Sequence, residues 1–508
     1  MMGAMTPPVS GKWASTTGIL IGIFLSAMDA TIVATSMPTI MSRLDGIEVY
    51  FLVFSVYLIT MVVSIGTFGR LSDIYGRKKL HLIAVSIFIV SSILCGLSTT
   101  KEQLILFRGL QGIGAGGMGA LSFTMIGDLF PLKQRARVQA AISGIWGIAT
   151  LIGPLAGGFI TENWGWPWVF YVNLPFGLIS ALLVQISWKE LNPLRNQKLD
   201  IPGALLLIGA SSALLIAFTL VGRGYGWTSS WVLLSFGGTV LFLILLARVE
   251  KKSATPFVAY DLYRVRLFAA CGLTGCFAVA CLFGATSYMP LFIQGVLGGT
   301  PSEAGLVFLP MMGPWVLCSG ASGFLLIRFG YRKLALPGMI FLGSGFTLMV
   351  RLSPESTWLE AAGSLVLVGF GLGLTVAPML IAAQNAVPKI RMGAATSLSQ
   401  FSRSMTGAIT VAIMGAIIAG TLSAQRPDGP NIPSPNEVVD PIKRDSLTEE
   451  QRDAWKGPLS DGLTRAFFIG IVAAGLGLIS ALAIPKGKAQ DFLPSDSNEK
   501  ENLDRIRS

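Results

Sequence analysis

Asp29 is the only charged residue between Lys12 and Arg43, and Arg108 is the only one between Glu102 and Asp128; both interrupt long apolar runs. Placing either charge at the centre of a membrane helix costs ~2.5–3.5 kcal/mol on insertion scales. Desolvation favours the neutral form of a carboxyl group, so Asp29 is suited to taking up and releasing a proton. Arg108 needs a polar cavity or a partner, and Gln111, about one helical turn further on, shares nearly the same face. The chemistry on offer is proton exchange and binding. No serine, cysteine or histidine constellation suggests catalysis, and no Gly-x-x-x-x-Gly-Lys-Ser/Thr phosphate loop is present, so the chain is expected to be neither an enzyme nor ATP-driven.

The elements that must position these residues follow from composition. The chain has 508 residues, 52% hydrophobic and 13% charged, against about 25% charged in soluble domains. Runs of ~20 apolar residues suffice to span a bilayer. Fourteen such spans are expected, near 15–37, 49–69, 80–98, 103–126, 138–160, 166–188, 201–221, 229–248, 267–293, 303–327, 333–352, 358–380, 395–420 and 463–485. The fold class is therefore an all-α polytopic membrane protein. The net charge of +11 lies mainly in short inter-span connections, which makes it a topology signal rather than a nucleic-acid footprint. Alternate connections carry most of the Lys and Arg, which puts them, and both termini, on the cytoplasmic side. The 59 glycines fit close helix packing in lipid. The five cysteines lie in apolar runs and His81 lacks a ligand partner, so no metal or cofactor is expected.

One connection stands out. Gly69-x-Leu71-x-Asp73-x-x-Gly76-Arg77-Lys78 sits between the second and third spans. It is expected to form a tight cytoplasmic turn, with Gly69 and Gly76 allowing the backbone to reverse. Residues Gly323–Lys333 echo its spacing between the tenth and eleventh spans, with Ile327 where Asp73 stands. The echo implies an internal repeat, giving an N-terminal six-helix half (15–190), two inserted helices (200–248) and a C-terminal six-helix half (262–485), followed by a cytoplasmic tail (486–508). The long segment 421–462 would lie outside.

These motifs resemble those of the major facilitator superfamily, and within it the fourteen-helix drug/proton antiporters. The Gly69–Lys78 pattern is similar to the superfamily's signature loop between helices 2 and 3. Leu25-x-x-x-Asp29-x-Thr31 through Met37-Pro38 resembles the first-helix motif of the antiporters, except that Ala34 replaces the usual Asn. Arg108-x-x-Gln111-Gly112-x-Gly114 is similar to the helix-4 motif, whose arginine is implicated in proton coupling. Gly147-x-Ala149-x-x-x-Gly153-Pro154-x-x-Gly157-Gly158 resembles the antiporter motif of exporters. Weaker matches are Pro131-x-x-x-Arg135-x-Arg137, Pro290-x-x-x-Gln294, and Trp166-Pro167-Trp168 through Asn173, with Pro167 where the family has Arg.

The resemblance implies a major facilitator fold and proton-coupled export of a small amphipathic substrate by alternating access in a plasma membrane, that of a bacterium. Asp29 and Arg108 would couple the proton. Gly69, Asp73, Gly76, Arg77 and Lys78 would form a latch, with Asp73 meeting the N-terminus of helix 13. Gly147, Gly153, Pro154, Gly157 and Gly158 would make the packing face. Thr31, Gln111, Tyr288, Gln294 and Met312 would line the substrate cavity; from its position near the start of helix 13, Arg403 could admit anionic groups if it faces that cavity. The partners would be the lipid bilayer, protons and the substrate, with the protein acting as a monomer. Export of a lipid or metabolite and a non-transporting receptor on the same fold are the alternatives.

Overall fold

In the computed structural model, the described residues are 9–130, 145, 148–149, 152–189, 201–222, 225–252, 260–388, 392–427 and 432–487. The regular structure among them is helical throughout. Eleven helices among the described residues are long and apolar enough to cross a membrane. The long helices are α1 (Val9–Arg43), α2 (Tyr50–Tyr75), α3 (Arg77–Gly96), α4 (Lys101–Leu129), α5 (152–163), α6 (Asn173–Ser187), α7 (Ile201–Gly222) and α8 (Ser230–Lys252), followed by α9 (Arg266–Leu291), α10 (Leu309–Phe329), α11 (Tyr331–Met349), α12 (Trp358–Asn385), α13 (Met392–Ala424) and α14 (Lys456–Leu482).

Local chemistry sets several of their ends. The Thr100 hydroxyl accepts from the Gln103 amide and caps α4, and Thr357 with Glu360 forms a full capping box on α12. Along α8, Trp231, Leu233, Leu234, Val240 and Leu241 are exposed, the surface expected of a helix that faces lipid rather than water.

The Gly69–Lys79 stretch is more compact than expected. Gly69 to Tyr75 continue α2, and the chain reverses at Gly76 alone, with φ 93° and ψ 145°. One residue outside the region open to L side chains is enough for the turn, and the charged residues before it extend the helix instead of breaking it. Gly69 has open space around it and takes no part in the reversal. Gly330 does the same work between α10 and α11, at φ 78°.

The chain divides into two compact units. The first comprises Met1–Phe257, Thr286–Leu306 and Gly415–Gly462, and the second Val258–Ala285, Val307–Met414 and Leu463–Ser508. In the first, α2 lies along α4 so closely that a Cβ on Gly112 would strike the Tyr57 carbonyl oxygen and one on Gly116 that of Met61. In the second, α10 and α12 are packed in the same way, Gly369 against the Met311 carbonyl. Small residues let helix backbones touch where lipid offers no hydrophobic drive for association.

The first unit also contains part of the segment expected outside. The short helix Pro435–Val439 packs on α1. Asn436 Oδ1 accepts from the buried Ile47 N–H at 3.1 Å, Asp440 pairs with Arg43 at 3.6 Å, and Trp455 Nε1 donates to the Pro433 carbonyl at 2.7 Å.

Two outcomes follow from this packing. Gly116→Ala should lower the melting temperature of the purified protein, by the equivalent of about 1–3 kcal/mol. Gly119→Ala, with nothing within 4 Å of the added methyl, should leave it unchanged; equal melting of the two variants would contradict the close α2–α4 contact. Asn436→Ala orphans the Ile47 amide at a cost of about 1–3 kcal/mol and should speed proteolytic cleavage within 432–462. Wild-type cleavage kinetics would show that the bond from Ile47 to Asn436 does not hold this segment.

Candidate functional site

Asp29 lies on α1 and is completely buried. Its carboxylate is held by three donors from two other helices. Arg108 Nη1 on α4 reaches Oδ2 at 2.7 Å, Gln111 Nε2 on α4 reaches Oδ1 at 2.9 Å, and Asn173 Nδ2 at the start of α6 reaches Oδ1 at 3.0 Å. Gln111 Nε2 also donates to Ser92 Oγ on α3 at 2.8 Å. Four helices of the first unit therefore meet at one carboxylate. Arg108, itself 1% exposed, has further holds: Gln111 Oε1 accepts from Nη1 at 2.7 Å, and the Tyr57 ring lies 4.0 Å from its Cζ. A guanidinium on an aromatic face gains from the ring quadrupole.

The sequence singled out Asp29, Arg108 and Gln111, and the structure joins them. It also adds three residues that were not assigned to this site: Asn173, quoted above only in a motif match, and Tyr57 and Ser92, which were not singled out. Asn173 supplies an amide to the carboxylate. Tyr57 and Ser92 complete the shell. The sequence signal for Asn173 was present, as a lone amide in an otherwise apolar and aromatic stretch. Tyr57 and Ser92 carry none, because their neighbours read as ordinary packing.

The small-residue face of α5 separates into two stripes. A Cβ on Gly153 would strike Thr31 Oγ1, and one on Gly157 would strike the Ile32 carbonyl, so these two glycines seat α1. Pro154 and Gly158 on the other stripe meet the short helix Pro301–Leu306: a Cβ on Gly158 would strike the Pro301 carbonyl, and one on Gly305 that of Pro154. Hydroxyls of α1 complete the first seam. Thr31 Oγ1 donates to the Ala149 carbonyl at 3.2 Å, Thr35 Oγ1 to that of Pro154 at 3.3 Å and Ser36 Oγ to that of Gly157 at 3.1 Å. Gly147 lies outside the described residues.

The remaining residues expected at a cavity have varied surroundings. Gln294 sits in one turn of π-helix, Phe292–Val296, which follows α9 with its Pro290. Its amide is committed at both ends: Nε2 donates to the Thr35 carbonyl at 2.8 Å and Oε1 accepts from Thr39 Oγ1 at 2.8 Å. Tyr288 is buried with its ring 5.8 Å from that of Tyr50. These residues belong to the first unit; Met312, buried on α10, belongs to the second. At the expected latch, Arg77 pairs with Asp128 and donates to the Thr124 carbonyl at 3.0 Å, tying the start of α3 to the end of α4, and Lys78 is half-buried. The Asp73 side chain and those of residues 391–394 lie outside the described residues, and so does the proposed contact between them. Among the described residues no group of three His, Cys, Asp or Glu could hold a metal ion.

Comparison with known proteins agrees with this architecture. The profile of the Major Facilitator Superfamily matches residues 19–412. The chain is 34% identical over 402 residues to the multidrug transporter protein MdtP of Bacillus subtilis (strain 168), covering 79% of this chain and 74% of that one. It is 30% identical over 515 residues to multidrug resistance protein 3 of the same organism, covering 97% of this chain and 99% of that one. Among solved structures, a bacterial homologue of the human lysosomal transporter Spinster superposes with a TM-score of 0.64 at 16% identity, over 96% of this chain and 100% of the other. A D-xylose–proton symporter gives 0.59 at 14% identity, over 95% and 98%. At such identities the structures speak for the fold alone. The profile match over most of the chain and the two bacterial relatives establish that this protein, a multi-pass membrane transporter and not an enzyme, belongs to the major facilitator superfamily.

Proposed function

We propose that the protein is a proton-coupled exporter of amphipathic small molecules, a drug/proton antiporter of fourteen membrane helices arranged as two six-helix halves around α7 and α8, in a bacterial cytoplasmic membrane. The observation that carries this reading is the buried Asp29 carboxylate held by Arg108, Gln111 and Asn173. The bacterial multidrug relatives support the direction and the substrate type.

A proton arriving on Asp29 turns its bond to Arg108 from an ion pair into a bond from the guanidinium to a neutral carboxyl group, and the Coulomb attraction between two full charges is lost. Arg108 is not stranded, because Gln111 Oε1 and the Tyr57 face remain in place. What weakens is the tie from α1 to α4 and α6. The cluster thus has two energetically distinct forms that differ by one proton, the requirement for a two-state coupling element. A substrate that competes for the same polar groups and the same helix seam then excludes the proton, and alternating exposure of the two loads gives antiport. The Gly153 and Gly157 stripe is the surface against which α1 would shift.

Asp29→Asn should abolish efflux driven by an imposed pH gradient in vesicles. It removes one partner of a buried ion pair, which typically costs about 3–5 kcal/mol, so its melting temperature should fall as well. Adding Arg108→Gln should recover much of that stability without recovering efflux. Wild-type efflux from the single variant would end the proton-carrier role. The neutralised cluster also leaves little net negative charge to balance a dication, whose uncompensated burial is costly. Matched mono- and dicationic dyes should therefore be exported unequally, the monocation faster. Equal or faster efflux of the dication would require a further acid at the transport site.

A further inference from the structure

The second unit contains a charge with no counterpart to the Asp29 cluster. Arg403 lies on α13 and is 4% exposed, and its Nε and Nη2 are buried without a hydrogen-bond partner. None of the ion pairs among the described residues includes it. Its titratable neighbours are the thiols of Cys276 and Cys271, which are weak acceptors.

The two free nitrogens are chemically specific. Nε–H and Nη2–H point the same way from one edge of the guanidinium, the edge that takes both oxygens of a carboxylate or phosphate at once. A third free donor is close by: Ser399 Oγ, on a residue 2% exposed, also lacks a partner. Ser399 precedes Arg403 by four residues, and helical side chains lean toward the N-terminal turn, so the arginine extends over the turn that carries the serine. Gly275 on α9 leaves the room. A Cβ there would stand 2.5 Å from Nη2 and 2.8 Å from Nε, in front of that same edge. The guanidinium now rests against this bare stretch of backbone, and meeting an anion requires the edge to turn away from it. Gly275 is nine residues into α9, about 13 Å along the helix at ~1.5 Å per residue, beyond the reach of an aqueous counter-ion at the helix end.

We propose that Arg403 and Ser399 form a binding point for a singly charged oxyanion carried on an amphipathic molecule, either a solute with a carboxylate or a lipid with a phosphodiester. One guanidinium balances one charge, so the group it takes is a monoanion. This deepens the export reading by adding amphipathic monoanions to the substrate class. Its test needs no gradient, so failure here leaves proton coupling untouched, and failure of coupling leaves this measurement valid.

The test uses the full chain in an uncharged maltoside detergent and compares binding of 11-(dansylamino)undecanoate with binding of its neutral amide. The wild type should prefer the acid by about tenfold or more, the usual weight of a charge-assisted bond. R403Q should bring the two affinities together, R403K should retain part of the preference because it keeps the charge without the fork, and S399A should reduce it. A second arm repeats the titration in phosphatidylcholine nanodiscs with and without phosphatidylglycerol. Displacement of the acid by phosphatidylglycerol in the wild type but not in R403Q assigns the site to a lipid; the acid preference without displacement assigns it to a solute. If R403Q does not fold, R403K and S399A decide. An acid-to-amide ratio and a phosphatidylglycerol effect that are the same in the wild type and the folded variants would overturn the proposal.

Discussion

A full charge inside a bilayer must find its partner within the protein, because lipid offers none. The first unit obeys this constraint at the Asp29–Arg108 pair, and much of its arrangement follows from it. The pair brings α1 against α4, and the two amides that share the carboxylate bring in α6 and, through Ser92, α3. A buried ion pair contributes little net stability over an apolar substitute, so its retention here points to a requirement for charge. Under the proposed coupling, one proton on Asp29 would alter the bonds that hold several helices together.

Close contact between backbones is the complementary device. With no hydrophobic drive between helices in lipid, contact depends on fit. Gly112 and Gly116 let α4 reach α2, and Gly153 and Gly157 let α5 reach α1. At the α1–α5 seam the hydroxyls of Thr35 and Ser36 donate to α5 carbonyls, and that of Thr31 to the Ala149 carbonyl. The two contacts are thus made from the same residue types, and the α1–α5 seam adds hydroxyl-to-carbonyl hydrogen bonds.

Much of this was legible in the sequence. Asp29 and Arg108 announced themselves as single charges in long apolar runs, and the glycine spacing announced the packing faces. Their pairing was not legible, because 79 residues separate them and nothing local connects them. Asn173 was quoted only as part of a motif match near the start of a span, and nothing local connects it to Asp29, 144 residues earlier. The Gly69–Lys79 stretch was read as a turn throughout, since charges usually mark the end of a membrane helix. Only backbone dihedrals reveal that Gly76 alone is needed. Gln294 was legible as an intramembrane polar residue, whereas its commitment to Thr35 and Thr39 depends on tertiary contacts some 250 residues apart in the chain.

The make-up of the first unit bears on how the chain is synthesised. Its contacts are completed by Thr286–Leu306 and Gly415–Gly462, which leave the ribosome long after α1 to α6. Domains generally fold as units, the N-terminal one first during synthesis. Here the amino-terminal helices can enter the membrane and form the Asp29 cluster early, but the seat that Pro154 and Gly158 offer to Pro301–Leu306 and the bond from α1 to Gln294 stay unfilled until more than half of the chain has emerged, and the bond from Ile47 to Asn436 until its last third has. A nascent chain halted after α8 would carry these polar and small-residue surfaces bare, a natural target for membrane chaperones and quality-control proteases.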